Sequence, residues 1–335
     1  MKAHRNFPFF VPHAGCPNCC VFCSQTKITG VNAEKDIDTE IGELRAMLES
    51  VSDNGCEVQI AFFGGSFTAI EKSRMEALLS VANEYIDRGV AESIRISTRP
   101  DCIDEDIARI LKKYRVKNVE IGVQSTNRSV LELSERGHTA GDSFVAAELI
   151  LKNRMELCGQ MMIGLPGSDA ESEMQTARDI VKMGATEARI YPTVVFEGTK
   201  LYGMTLSGEY TPLTDEEAVD RAAKCYKILH EAGVKLLRIG LHASENLKNA
   251  PFGANHPAIG ELVKSRVYTD IIEERAGDCH GKILGIGIKE TDISMLRGHG
   301  SAAIIRLKER TGASAVEIFP TDLRQFDPKV NVRSV

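Results

Sequence analysis

Tryptophan is absent from the 335-residue chain, and aromatic residues make up only 6% of it. No apolar run approaches the ~18 residues that a membrane-spanning helix needs, so we expect no membrane span. The apolar stretch near the start, residues 7–11, is too short for a secretory signal. The formal net charge of −6 argues against a general polyanion binder. Apolar and charged contents of 43% and 26% exclude a disordered or collagen-like chain.

A Gly-x-Gly-x-x-Gly turn after the first strand-like run is also absent, which weakens the case for a doubly wound, dinucleotide-binding sheet. Short β-branched runs instead alternate with longer amphipathic stretches. We predict strands at residues 7–11, 58–63, 93–97, 118–123, 160–165 and 188–194. We predict helices at residues 39–50, 72–88, 105–114, 144–153 and 171–183. Such alternation requires parallel strands with helical crossovers, and six units predict an α/β fold, a partial (β/α)6 TIM-like barrel.

The pattern changes after residue 200. A helix is predicted over residues 215–232, with Thr214 as its N-cap and three acidic residues in its first turn. Beyond it we predict strands at 235–240, 283–288 and 315–319 and helices at 258–275 and 302–310. We therefore expect a barrel over residues 1–200. A smaller α/β C-terminal extension over residues 201–335 would complete the substrate side as a lid.

Four of the nine cysteines, Cys16, Cys19, Cys20 and Cys23, lie in one loop just after the first predicted strand. The odd total and this clustering argue against a disulfide framework and favour a reducing, cytoplasmic location. Abutting Cys-x-x-Cys pairs lack the spacer of a usual zinc site, and the adjacent Cys19 and Cys20 cannot easily both face one ion. Three thiolates from one loop suit a [4Fe-4S] cluster with one iron free of protein ligands. The ligands are then Cys16, Cys20 and Cys23, or a set that uses Cys19 in place of Cys20.

The Cys-x3-Cys-x2-Cys spacing, with Phe22 just before the last cysteine, resembles the radical S-adenosylmethionine (SAM) superfamily. Later segments agree with this resemblance: Gly-Gly-Ser-Phe-Thr at 64–68, Ser-Thr-Arg-Pro-Asp at 97–101, Gly-Val-Gln-Ser at 122–125, Arg-Gly-His at 136–138, Met-Ile-Gly-Leu-Pro-Gly at 162–167 and Ile-Tyr-Pro-Thr at 190–193. Over roughly residues 7–245 the sequence is similar to those of the branch that contains the Elongator catalytic subunit. The resemblance does not extend to the acetyltransferase domain of that subunit.

The resemblance implies that SAM binds where the strands end. The residues implied as cofactor-binding are Phe22, Gly64, Gly65, Ser66, Ser97, Arg99, Gln124, Ser125, Arg136, Gly164, Leu165 and Arg189. It further implies that SAM is cleaved reductively to a 5′-deoxyadenosyl radical, which abstracts hydrogen from a small metabolite or an RNA. A reductant protein of the flavodoxin or ferredoxin type is the expected electron donor.

On the substrate side we single out Arg238, His242 and His256, because histidine titrates near neutrality and can carry protons. For each histidine, a capping or packing role is the alternative. Two other functions remain open at this point. One is a tetrapyrrole-oxidising enzyme of the same superfamily, and the other is a non-catalytic iron–sulfur or zinc-binding sensor.

Overall fold

A computed structural model describes residues 4–11, 20–23, 36–51, 55–242 and 244–334. In chain order its strands and helices are β1 (His4–Val11), α1 (Ile37–Glu49), β2 (Glu57–Gly64), α2 (Lys72–Asp87), β3 (Ser93–Thr98), α3 (Glu105–Lys113), β4 (Val116–Gln124), α4 (Arg128–Leu133), α5 (Ala140–Lys152), β5 (Glu156–Ile163), α6 (Ala170–Lys182), β6 (Glu187–Pro192), β7 (Val194–Val195), α7 (Lys200–Ser207), α8 (Asp215–Glu231), β8 (Lys235–Ile239), α9 (Glu245–Lys248), β9 (Phe252–Gly253), α10 (Ile259–Ala276), β10 (Ile283–Lys289), α11 (Ile293–Thr311), β11 (Ala315–Thr321) and β12 (Lys329–Arg333).

The main sheet has seven strands in the order β1-β2-β3-β4-β5-β6-β8, and every neighbouring pair is parallel. The sheet curls into a half-barrel, which confirms the predicted parallel α/β fold. It holds one strand more than the six predicted. The seventh strand is β8, which we had predicted to belong to the C-terminal extension. It pairs with β6, and Ala188 lies opposite Leu236. The sheet therefore continues past residue 200.

The helices form where local capping and apolar periodicity agree. Asp104 caps α3 by accepting the backbone N–H of Ile107, and Lys112 and Lys113 lie in its last turn. Thr214 and Glu217 form a capping box at the start of α8, which confirms the predicted N-cap. The apolar faces of the helices pack against the outer face of the sheet in one core. Its members include Leu44, Ile60, Phe62, Leu78, Ile94, Ile96, Leu111, Val119, Ile121 and Ile150.

The C-terminal strands form a separate sheet in the order β11-β10-β12. The central strand β10 runs parallel to β11 and antiparallel to β12. Helix α10 packs against both α8 and α11, so it joins this sheet to the barrel. In the described part of the chain, no helix is both long enough and apolar enough to span a membrane.

Candidate active site

Polar side chains occupy one face of the main sheet, because successive residues of a strand point to opposite faces. Four of them, Ser97, Glu120, Gln160 and Arg189, line a cavity of about 340 Å³. The remainder of the lining is mostly apolar and comes from the carboxyl-end halves of the strands and from the segments after β7 and β8. These residues are Phe10, Phe63, Gly64, Tyr191, Phe196, Leu241, His242, Ser244 and Leu247. A concave, largely apolar cavity with a few convergent polar groups is typical of a small-molecule site.

Glu120 is the centre of the polar floor of this cavity and is fully buried. It accepts hydrogen bonds from Arg95 Nη1 at 2.8 Å, from Arg189 Nε at 2.8 Å and from Gln160 Nε2 at 2.6 Å. Arg95 also pairs with Glu187 at 2.7 Å. A buried carboxylate is tolerated only when it is paired and hydrogen-bonded in this way. Glu120 therefore fixes the guanidinium of Arg189 at the cavity wall.

We assigned Glu120 no role from the sequence, although a signal was present. It is a single carboxylate among apolar residues in the middle of a strand, Val-Glu-Ile-Gly-Val at residues 119–123. Tyr191 was also missed. It follows Arg189 by two residues on β6, so both side chains point to the same face of the sheet and line the same cavity. Burial raises the pKa of Tyr191 to about 12.

The cysteine loop is described from Cys20 to Cys23, and Cys16 and Cys19 lie outside the described residues. The Cys23 N–H donates to the Cys20 carbonyl at 3.0 Å, which closes a tight turn with Cys20 buried. Phe22 packs against a small apolar cluster that includes Val21 and Val195. Among the described residues no three metal-ligating side chains converge. The predicted ligand set therefore stays a prediction.

Two buried arginines surround the sulfur of Cys20. Arg136 Nη1 donates to Cys20 Sγ at 3.4 Å, and Arg99 Nη1 lies 4.0 Å from the same atom. Arg136 is held by the Gly122 carbonyl at 2.7 Å, and Arg99 by Asp101 and by the Arg136 carbonyl. Guanidinium groups only donate hydrogen bonds, so the sulfur acts as the acceptor. Such donors suit an iron–sulfur ligand, because hydrogen bonds to the sulfurs help to set the cluster potential.

The glycine turn after β2 lies against the end of β1. Gly64 has φ 115, and a Cβ there would overlap the carbonyl oxygen of Val11. The Gly65 N–H donates to that same oxygen at 3.3 Å. Only glycine fits this close approach of two backbones at the cavity wall. The next residue, Ser66, is buried.

Several polar groups on and beside the end of β4 have no partner in the described part of the chain. They are Gln124 Oε1, Arg136 Nε and His138 Nδ1, and all three are buried. Gln124 has φ 61, which turns the strand sharply. Ser125 Oγ accepts the N–H of Asn127 at the start of α4. Buried polar groups are normally paired, so these orphans are consistent with a polar ligand.

His138 is a further residue that we had not assigned. Its Nε2 lies 3.2 Å from the Val123 carbonyl. Burial, together with the positive charges of Arg136 and Arg99, lowers the pKa of His138 to about 4. The imidazole is therefore neutral at pH 7.

Gly164 and Leu165 line a second cavity of about 230 Å³, which does not include the residues of the first. The Gly164 N–H donates to Glu173 Oε1 at 2.7 Å, and Tyr210 OH donates to the Gly164 carbonyl at 2.5 Å. Burial raises the pKa of Glu173. The backbone at Gly164 is thus held firmly on both sides.

The three substrate-side candidates lie in different surroundings. His242 lines the first cavity, and burial together with the charges of Arg238 and Arg189 lowers its pKa. Arg238 donates to the carbonyls of Gly240 and Leu241, both at 3.0 Å, so it fixes the segment that carries His242. His256 is outside the cavity lining, and its Nδ1 accepts the backbone N–H of Ala258 at 3.1 Å.

Comparison with protein families agrees with this half-barrel. Residues 10–180 match the Radical SAM superfamily, and residues 185–269 match the Radical_SAM C-terminal domain. The chain belongs to the radical SAM superfamily, whose members typically use a [4Fe-4S] cluster and SAM. Both matches end before β10.

Curated relatives of the chain include Elongator-type proteins and an uncharacterized protein. An uncharacterized protein of Methanocaldococcus jannaschii is 28% identical over 219 residues, 61% of this chain and 66% of its own length. The tRNA uridine(34) acetyltransferase of the same organism is 31% identical over 196 residues, 52% of this chain and 36% of its own. Elongator complex protein 3 of Schizosaccharomyces pombe is 26% identical over 263 residues, which are 67% of this chain and 47% of that protein. The chain thus spans about a third to two thirds of these relatives.

Solved structures show the same fold. An archaeal Elp3 from Methanocaldococcus infernus with an N-terminal deletion superposes with a TM-score of 0.62 at 23% identity, covering 82% of this chain and 64% of that one. Coproporphyrinogen III oxidase from Escherichia coli gives a TM-score of 0.53 at 18% identity, covering 69% and 54%. At these identities the likeness concerns the fold alone.

Proposed function

We propose that this chain is a radical SAM enzyme that holds a [4Fe-4S] cluster on Cys16, Cys20 and Cys23 and binds SAM beside it. The observation that carries the proposal is the pair of buried guanidinium groups aimed at the Cys20 sulfur. The orphaned polar atoms at the end of β4 and the glycine turn at Gly64 support it, because both fit a polar ligand close to backbone.

A cluster held on these thiolates would supply one electron for the reductive cleavage of SAM to methionine and a 5′-deoxyadenosyl radical, which would abstract hydrogen from the substrate. The chain's own residues position and protect this chemistry. Arg99 and Arg136 hold the Cys20 sulfur in place. Ser97 and Arg189 offer a hydroxyl and a guanidinium to the cavity, and Glu120 fixes that guanidinium. The apolar walls at Phe10, Phe63, Tyr191 and Phe196 exclude water from a reactive radical.

The substrate belongs in the cavity next to His242, which is neutral at pH 7 and can accept a proton. A small metabolite and an RNA both remain candidates. Several relatives are tRNA uridine(34) acetyltransferases, which supports RNA as the substrate. A flavodoxin- or ferredoxin-type protein is the proposed electron donor.

Anaerobic reconstitution with iron and sulfide tests the proposal. We expect iron–sulfur absorbance, and 5′-deoxyadenosine release when dithionite and SAM are added. Cys16→Ala, Cys20→Ala and Cys23→Ala should each abolish both signals, because a missing thiolate leaves the cluster short of a ligand. Cys19→Ala is the matched control from the same loop and should keep both. Zinc as the only bound metal, with no 5′-deoxyadenosine, would contradict the proposal. Loss on Cys19→Ala with retention on Cys20→Ala would instead reassign the ligand.

A further inference from the structure

Buried and partly buried arginines in this chain are almost all neutralised by a neighbouring carboxylate, as Arg189 is by Glu120. Across the described part of the chain, only two arginines that are not exposed lack an acidic partner, Arg136 and Arg238. Arg136 instead contacts the Cys20 sulfur. Arg238 has no such neighbour, although a charge that is partly removed from water normally pairs with an opposite charge.

The Arg238 guanidinium uses only part of its hydrogen-bonding capacity. Its Nε and Nη2 donate to the carbonyls of Gly240 and Leu241, both at 3.0 Å. A guanidinium is always protonated and has five N–H donors, so three remain. Nη1 has no partner among the described residues and is not one of the buried unpaired atoms, so it is accessible to a ligand. Burial lowers the pKa of Arg238, and the positive charge of Arg189 acts in the same direction, as expected where no carboxylate compensates the charge.

Arg238 lies on β8 beside the candidate active-site cavity. In the register of β6 and β8 it is opposite Arg189, which lines that cavity, so both side chains leave the same face of the sheet. The segment that Arg238 holds supplies Leu241 and His242 to the cavity wall. Among the described residues of the lining, Glu120 is the one carboxylate, and three donors already occupy it. Positive charge is therefore in excess on this side of the cavity.

The cavity mouth on the side of β8 is marked by His242 and Ser244, two exposed residues of the lining. We propose that the substrate carries an oxyanion, a carboxylate or a phosphate, and that Arg238 binds it at this mouth beside His242. The inference rests on the proposed function, because it names the substrate class of that same site. A guanidinium suits both groups, because its N–H donors form a rigid fork that matches their oxygens.

SAM also carries a carboxylate, but the position of Arg238 favours a different molecule. The residues implied for SAM run from Phe22 to Arg189, and none of them is on β8. In the main sheet β8 is the edge strand at the opposite end from β1, and the cysteine loop follows β1. Arg238 therefore faces the substrate side of the cavity.

Titration of the full chain with small oxyanions tests the inference without iron or SAM. The probes are inorganic phosphate and acetate at constant pH and ionic strength, with acetamide as the uncharged counterpart of acetate. The readout is the imidazole NMR signal of His242 in protein with 13C-labelled histidine, identified by its absence from His242→Gln. We expect a saturable shift with phosphate or acetate and none with acetamide.

Arg238→Gln should weaken oxyanion binding about tenfold or more, because the charged donor is lost. Arg238→Lys keeps the charge and should recover most of the affinity, which a purely structural role of the guanidinium would not explain. Arg324→Gln removes the same charge at an exposed position of the C-terminal extension and should leave binding unchanged.

Ser244→Asp tests the same site without altering Arg238, which keeps the inference open to test if Arg238→Gln does not fold. Ser244 caps α9 by accepting the Leu247 N–H at 3.1 Å, and aspartate is an equally good N-cap. The added carboxylate should compete with the ligand for the positive charge and weaken oxyanion binding. Asn331→Asp, at an exposed position on β12, is the matched control and should not.

A single-stranded RNA of about ten nucleotides, added as a competitor, distinguishes the two sources of the oxyanion. Displacement of the bound probe assigns the oxyanion to a backbone phosphate of RNA. Failure to displace it assigns the oxyanion to a small metabolite. Both results support an anionic substrate.

The inference is overturned by the absence of a saturable shift, by an equal response to acetamide, or by unchanged affinity in folded Arg238→Gln or Ser244→Asp. Displacement of the probe by SAM in the reconstituted parent also overturns it, because the anion would then be the SAM carboxylate. Release of 5′-deoxyadenosine is measured separately on the reconstituted parent. Its absence contradicts the proposed function and leaves the titration unaffected, so the two failures are distinguishable.

Discussion

The barrel contains two pairs of buried arginines, which differ in the groups that they contact. Arg95 and Arg189 meet a carboxylate, Glu120, deep in the barrel. Arg99 and Arg136 meet a cysteine sulfur at the carboxyl edge, and of these two only Arg99 is paired with a carboxylate, Asp101, among the described residues. The inner pair is neutralised by the fold itself. The outer pair leaves positive charge at the edge, where a ligand rather than the protein is expected to supply the anion.

The largest effect should come from breaking the inner pair. Glu120→Ala leaves Arg189 buried without its carboxylate, and removing one partner of such a network costs about 3–5 kcal/mol of unfolding free energy. Urea denaturation measures it. Glu84→Ala removes an exposed partner of Arg45 and serves as the control, with a much smaller loss expected. Equal losses in the two variants would show that the inner network does not stabilise the barrel.

The pH dependence of the unfolding free energy should reveal the positive charge of Arg99 and Arg136, because that charge lowers the pKa of His138. Its folded pKa of about 4 lies below the unfolded value near 6.5, so the unfolded state binds more protons between these values. The stability contribution is therefore complete above pH 6.5 and falls as pH drops toward 4, by about 3 kcal/mol.

The measurement is urea unfolding of the parent and of His138→Gln between pH 4 and pH 7. Subtracting the two series removes the contribution of the carboxylates. A difference that stays flat across this window would mean that the arginines and burial do not hold His138 neutral.

The smallest effect on stability, and the most specific to the site, is expected for Arg136→Gln. We expect a loss of about 1 kcal/mol, since the Gly122 carbonyl loses a donor. In reconstituted protein the cluster potential should fall by tens of millivolts, because a positive donor no longer stabilises added electron charge at the Cys20 sulfur. Redox titration followed by electron paramagnetic resonance measures it. Arg128→Gln, on the exposed side of α4, should leave the potential unchanged. An unshifted cluster potential in Arg136→Gln would show that the outer arginine pair does not act on the Cys20 sulfur, and the two pairs would then not differ in function.

The barrel was predictable because its signals are local. Strand–helix alternation specifies parallel strands, and the half-barrel follows from it. Boundaries were less well predicted. Helix α5 begins at Ala140 rather than 144, because Thr139 and Asp142 form a capping box in a stretch that reads as a loop. Helix α11 begins at Ile293 rather than 302, because the glycines at 298 and 300 read as a helix break.

The candidate site was predictable only in part. Gly64, Ser97, Arg189 and His242, from four regions of the sheet, line one cavity, and their roles stay predictions. The role of Glu120 depends on partners from three other strands, so its own neighbourhood in sequence does not reveal it. Whether Cys19 or Cys20 faces a cluster depends on loop geometry and stays a prediction.

The backbone of Val21 has a consequence for folding order. Its N–H donates to Ser134 at 3.2 Å, and its carbonyl accepts from Leu201 at 2.8 Å, so the loop is tied to two segments more than a hundred residues away in sequence. Closing such long loops is entropically costly and happens after local structure has formed. We therefore expect the segment around Val21 to dock only after the half-barrel that receives it has formed.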